Sequence, residues 1–197
     1  MPVLETGIRV LDLVCPVPMG GSLAIRGDAG SGVVTVAMEA MRNLCRRHQT
    51  KAVCHVTAGE PFTESNVRGW IAKLHVEEFI EGIVPGDRAE ISIARIARLF
   101  PYADSADDAD GWVVLRRALV AQGRLPGVDL GESGSRLADA DPERLAQRVK
   151  ADVARGNVEL TGYLSQPFFV AEPWTGRPGE VTDRREMLER VRKLLLG

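Results

Sequence analysis

Residues 21–34, GSLAIRGDAGSGVV, run from a short apolar segment through a glycine-rich turn straight into an amphipathic stretch. GSLAIRG (21–27) reads as a strand that ends in glycine, and VVTVAMEAMRNLCRRH (33–48) reads as a helix. In that helix Val36, Met38, Met41, Leu44 and Cys45 recur at roughly helical spacing. Its arginines gather at the C-terminal end, where the helix dipole favours cations. A strand that turns directly into a helix is a building unit of an α/β sheet.

The turn itself carries chemistry. Gly27 and Gly32 have the spacing G-x-x-x-x-G of a phosphate-binding loop, with Gly30 between them. In such a loop backbone N–H groups wrap phosphate oxygens and the helix N-terminus adds its positive pole. Lys and then Ser or Thr follow the last glycine, one for the terminal phosphates and one for magnesium. This chain has Val33 and Val34 there, and Asp28 puts a negative charge inside the loop. Two readings stay open: a cradle that has lost its charged partners, or a strand-to-helix turn with no ligand.

The rest of the chain continues the alternation. KAVCHVTAG (51–59) and RAEISIARIA (88–97) read as strands. Residues 62–80, 112–122, 141–156 and 182–197 read as helices, with Thr63 and Asp141 as N-caps and Pro142 at the first helical position. Strands alternating with helices predict a parallel sheet covered by helices. We divide the chain into an α/β domain over 1–138 and a short helical region over 139–197.

A net charge of −2 argues against a general nucleic-acid or anionic-membrane binder. No apolar run reaches the ~20 residues of a membrane span. The N-terminal MPVLETGIRV lacks the apolar core of a secretory signal, and the odd cysteine count leads us to expect a reducing, cytoplasmic setting. Cys15, Cys45 and Cys54 lack CxxC spacing and read as buried thiols. They do not join His48, His55 and His75 at ligand spacing, so no metal site is expected.

Four blocks carry a resemblance. ETGIRVLDLVCPVPMGGSLAIRGDAGSG (5–32) resembles the β subunit of rotary F-type ATP synthases, with its ETGIKV-D-L-P-GG-G-G-GKT series. TAGEPFTESN (57–66) is similar to that family's GERTREGN segment, and VVLRRALVAQGRLPGVDLGESGSR (113–136) to V-L-SRAI-GIYPAVDPLDSTSR. YLSQPFFVAEPWTGRPGE (163–180) is nearly FLSQPFFVAEVFTGSPG. The blocks keep the family's order and span most of the chain. The resemblance implies a P-loop NTPase-like fold: a reduced nucleotide-binding domain plus part of a C-terminal helical domain.

It also implies roles. Gly27, Gly30 and Gly32 match the phosphate loop. Glu60 matches the glutamate that positions the attacking water, with Pro61 in place of the neighbouring arginine; the bland alternative is a solvated loop carboxylate. Phe168 and Trp174 match the two aromatics that flank adenine, or else form a small core cluster. On this resemblance Trp174 is expected close to the glycine loop. Arg136 matches an interface arginine, or else pairs with Asp139 or Asp141. ISIARIARLFPYAD is similar to the strand ending YVPADD, which would bring Phe100 or Tyr102 near the base pocket.

The departures are large. On this resemblance the chain is expected to start where the family's nucleotide domain starts, without its N-terminal barrel. Only residues 67–112 stand where the family has the long segment with its Walker B strand, and no apolar run there ends in Asp. The family's DELSEED-type motif is missing. We therefore expect a pseudo-ATPase acting through assembly, as a homo-oligomer or with a protein partner. Two alternatives remain: a weak binder of an adenine nucleotide without magnesium, or of another heterocyclic small molecule; and a repurposed enzyme using Glu60.

Overall fold

In a computed structural model, which describes residues 2–137 and 140–196, a seven-stranded mixed sheet forms the centre of the molecule. The chain runs α1 (Arg9–Val14), β1 (Ser22–Gly27), α2 (Val33–His48), β2 (Ala52–Val56), α3 (Glu64–Leu74), β3 (Ile80–Pro85), β4 (Glu90–Ile93), β5 (Ala97–Pro101) and β6 (Gly111–Leu115). It continues through α4 (Arg117–Ala121), β7 (Gly134–Ser135), α5 (Ala140–Ala154), α6 (Val158–Leu164), α7 (Glu172–Thr175) and α8 (Arg184–Leu194).

The strand order is β3-β2-β4-β5-β1-β6-β7. β1 lies parallel between β5 and β6, and β2 is parallel to β3. β4 runs antiparallel to both β2 and β5, and β7 antiparallel to β6. The α/β architecture with helices over the sheet matches expectation, but the sheet is mixed. The reason is local. The segment read as one strand over 88–97 is two, β4 and β5, reversed at residues 94–96, where Ala94 takes φ 42°. A connection of three residues can only join antiparallel neighbours.

Two further elements differ from expectation. The helix read over 62–80 stops at Leu74, where His75 takes a left-handed cap conformation, and Ile80–Pro85 becomes the edge strand β3. Residues 112–122 are half strand: β6 takes Trp112–Leu115, and only Arg117–Ala121 is helical. Val113 and Val114 are β-branched and pair with β1, so the sheet overrides the helical tendency of the residues that follow. Thr63 caps α3 as expected, accepting a hydrogen bond from Asn66 N. α5 already includes Ala140, so Asp141 and Pro142 lie inside the helix rather than at its N-cap and first position.

α2 lies across β1, β4 and β5 and buries Met38, Met41 and Leu44 completely. Buried residues of α5, α6 and α8, among them Val149, Leu160 and Val191, belong to the same core as Ile25 and Leu99 of the sheet. The three cysteines are free and buried, as expected, and burial pushes each thiol up to about 12. No helix is long and apolar enough to cross a membrane among the described residues.

Candidate functional site

The glycine loop connects the C-terminal end of β1 to the start of α2. Gly30 (φ 78°) and Gly32 (φ 93°, the N-cap) sit in the left-handed region that costs other residues strain. Gly27 is required for a different reason: a Cβ there would come within 2.9 Å of the Leu115 backbone oxygen. The loop is therefore held tightly against β6 on one side. On the other it is open, with nothing within 4 Å of a Cβ placed on Gly32.

The charges round the loop come from β6 and its sequel. Arg116 reaches Asp28 (3.9 Å), Asp129 (3.3 Å) and Glu132, so Asp28 is held in a cluster of opposite charges. A Cβ at Gly30 would meet the side chain of Arg117, 3.6 Å from its Cδ. Neither arginine was singled out by sequence; the signal was two cations directly after an apolar run. Val33 is buried, Val34 is half-buried, and the buried Ser31 Oγ has no hydrogen-bond partner among the described residues.

The other candidates are scattered. Glu60 follows β2 and borders a cleft at the same edge of the sheet, its carboxylate bonded by Asn66 Nδ2. The Arg136 guanidinium donates to the backbone oxygens of Ala106 and Asp107 (3.3 Å to the former). Asp139 lies outside the described residues. Phe168 is a core residue at 6% exposure. Trp174 is half exposed, and Lys73 Nζ lies 5.4 Å from its ring centroid. Lys73 is in the last turn of α3, which starts beyond the C-terminal end of β2 and leads back to β3, whose Ile80 pairs with Ala52 at the start of β2. Trp174 thus neighbours the end of α3 that leads away from the C-terminal edge of β2.

What the aromatic loop does instead is lock the fold. Gln166, almost fully buried, accepts from Arg9 N (2.9 Å) and donates to Gly7 O (2.8 Å) and to Glu180 O. Glu39 of α2, also buried, accepts from Val170 N (3.0 Å), and burial raises its pKa. Arg9 adds Tyr163 O and Thr182 Oγ1. Sequence reasoning missed these buried polar residues because a Gln or Glu shows its partner only once the chain is folded.

Asp12 holds the N-terminal turn. Its carboxylate accepts from Thr6 N (2.8 Å), Thr6 Oγ1 (2.7 Å) and Gly7 N (2.9 Å). Burial nevertheless pushes its pKa from 3.8 up to about 7. The native state then keeps a proton that the unfolded chain releases. The contribution of Asp12 to stability should fall as pH rises through that interval and level off above it, with a slope of up to about 1.4 kcal/mol per pH unit. Urea unfolding at a series of pH values checks this: Asp12→Asn should lose that slope relative to the parent, and equal slopes would contradict it.

No family model matches the chain. Among curated proteins it is similar to the ATP synthase subunit beta of Coprothermobacter proteolyticus, with 23% identity over 310 residues, covering 99% of this chain and 69% of that protein. The aligned stretch exceeds the 197 residues of this chain, so the relative carries segments with no counterpart here. The similarity is distant, and together with the glycine loop between β1 and α2 it points to a P-loop NTPase-like relationship.

Proposed function

We propose that this chain is a non-hydrolysing relative of ATP synthase β subunits that works through assembly or partner binding. The observation that carries the reading is the start of α2: Val33 and Val34 follow the last glycine, with Val33 turned into the core. Phosphoryl transfer depends on neutralising charge with Lys, Mg²⁺ and Arg. A buried valine supplies none of this. Of the retained glycines, Gly27 serves the close packing of β1 against β6, and Gly30 and Gly32 supply the positive φ of the turn. Exposed apolar side chains, among them Leu125, Val158 and Val181, offer surface for association.

Magnesium-dependent phosphate release from ATP should not exceed that of a Glu60→Gln control. The double change Val33→Lys and Val34→Thr should not restore it. Sedimentation at high protein concentration should show an oligomer, or a pull-down a specific partner. Turnover above the control defeats the inactive reading, and a strict monomer without a partner defeats the assembly reading.

A second reading, weak magnesium-independent binding of an adenine nucleotide, is favoured by Arg117 beside Gly30 of the loop. It draws on loop amides and Arg117 rather than on stacking by Phe168 and Trp174.

A further inference from the structure

A cleft of about 430 Å³ lies beyond the C-terminal ends of β2 and β5, where open α/β sheets place ligands. None of residues 27–34 lines it, so it is separate from the glycine loop. Phe62 and Tyr102 form an aromatic wall backed by Trp70. The Phe62 and Trp70 centroids are 5.7 Å apart, and those of Trp70 and Tyr102 are 6.5 Å apart, tilted at 49° and 34°. Phe100 forms a second wall.

The polar lining is one-sided. Glu60, Asp87, Asp104 and Asp108 face a single cation, Arg88. That cation is already engaged, 4.0 Å from the Phe100 ring centroid and 3.6 Å from Glu90. Asn66 Nδ2 bonds both Pro61 O (2.8 Å) and one Glu60 oxygen, which fixes the carboxylate at the rim. The other Glu60 oxygen takes no hydrogen bond among the described residues. Aromatic faces attract cations and repel anions, and the carboxylates add to that preference.

We propose that this cleft binds a small planar organic cation, an amidinium or guanidinium compound, with its flat face on Tyr102 and its N–H groups on Glu60. A forked N–H donor matches a carboxylate in two parallel hydrogen bonds, and a planar cation also stacks on a ring. The site does not depend on the assembly reading and takes the opposite charge to a nucleotide phosphate.

Three probes of one shape test it on the intact chain by titration calorimetry: benzamidine, neutral benzamide and anionic benzoate. Benzamidine should bind saturably, benzamide at least about fivefold more weakly, and benzoate not at all. Glu60→Gln keeps the oxygen that Asn66 bonds and should weaken benzamidine at least about fivefold. Tyr102→Leu should weaken it similarly. Trp174→Phe, which does not line the cleft, should leave it unchanged. The proposal is overturned if benzamidine does not bind, if benzoate binds as well, or if Glu60→Gln binds benzamidine like the parent. Thermal melts of each variant show that the fold is retained.

Discussion

Gln166→Leu should destabilise the protein by about 3–6 kcal/mol, read as a large fall in the urea midpoint. Gln166 lies in the interior and satisfies three backbone groups: Arg9 N, Gly7 O and Glu180 O. Leucine has similar volume, so little packing is lost. The cost comes from three lost hydrogen bonds, at ~1–3 kcal/mol each: Arg9 N and Glu180 O lose their partner, and Gly7 O keeps only the 3.3 Å bond from Thr182 N. Gln166→Glu separates the contributions. A glutamate still accepts from Arg9 N but cannot, as a carboxylate, donate to Gly7 O or Glu180 O. It should therefore be destabilised nearly as much, and the loss should ease at acid pH. A change below about 1 kcal/mol in both variants would show that water satisfies these groups and that the lock contributes little.

Gly179→Ala should cost about 3 kcal/mol or more, although it adds one methyl group. A Cβ at Gly179 would overlap Phe169 N and Cα, which are backbone atoms and cannot rotate away. Overpacking of this kind costs ~1–3 kcal/mol even where side chains can shift. Gly179 N also donates to Glu172 Oε1 (2.6 Å), and Glu180 N to Pro167 O (3.0 Å), so a displaced backbone would break the turn that brings Glu180 to Arg9. The matched control is Gly162→Ala in α6, where a Cβ meets nothing within 4 Å and alanine should gain about 0.5–1 kcal/mol. The two substitutions should move the urea midpoint in opposite directions. A shift of the same sign and size would remove the steric explanation.

Both variants strike the segment that most resembles ATP synthase β subunits. In this chain its buried groups bond the N-terminal segment and α2. That accounts for a family-like loop path in this chain. Its Trp174 faces Lys73, and the aromatic-walled cleft at the C-terminal edge is built by Phe62, Phe100 and Tyr102 instead. Phe100 and Tyr102 were visible as candidates in the sequence. Their partnership with Phe62 and Glu60 was not, since β5 and the loop after β2 meet only across β4.

The sequence by itself determined what depends on near neighbours. The β1-loop-α2 unit follows from an apolar strand, glycines that tolerate positive φ, and a helical apolar stripe ending in arginines. The Thr63 cap is a bond across three residues. The loss of phosphate and magnesium ligands at Val33 and Val34 is a matter of residue identity. Tertiary structure decided whatever rests on pairing between distant segments. Residues 112–115 became a strand because β1 pairs along them and β7 pairs at Trp112, against a local pattern that reads as helix. The β4–β5 reversal inserted an antiparallel strand between β2 and β5 and made the sheet mixed. The positions of Arg117 at Gly30, Gln166 at Gly7 and Trp174 at Lys73 follow from that topology. Such contacts join residues up to 159 apart, and no local pattern encodes a hydrogen bond whose partner arrives from that distance.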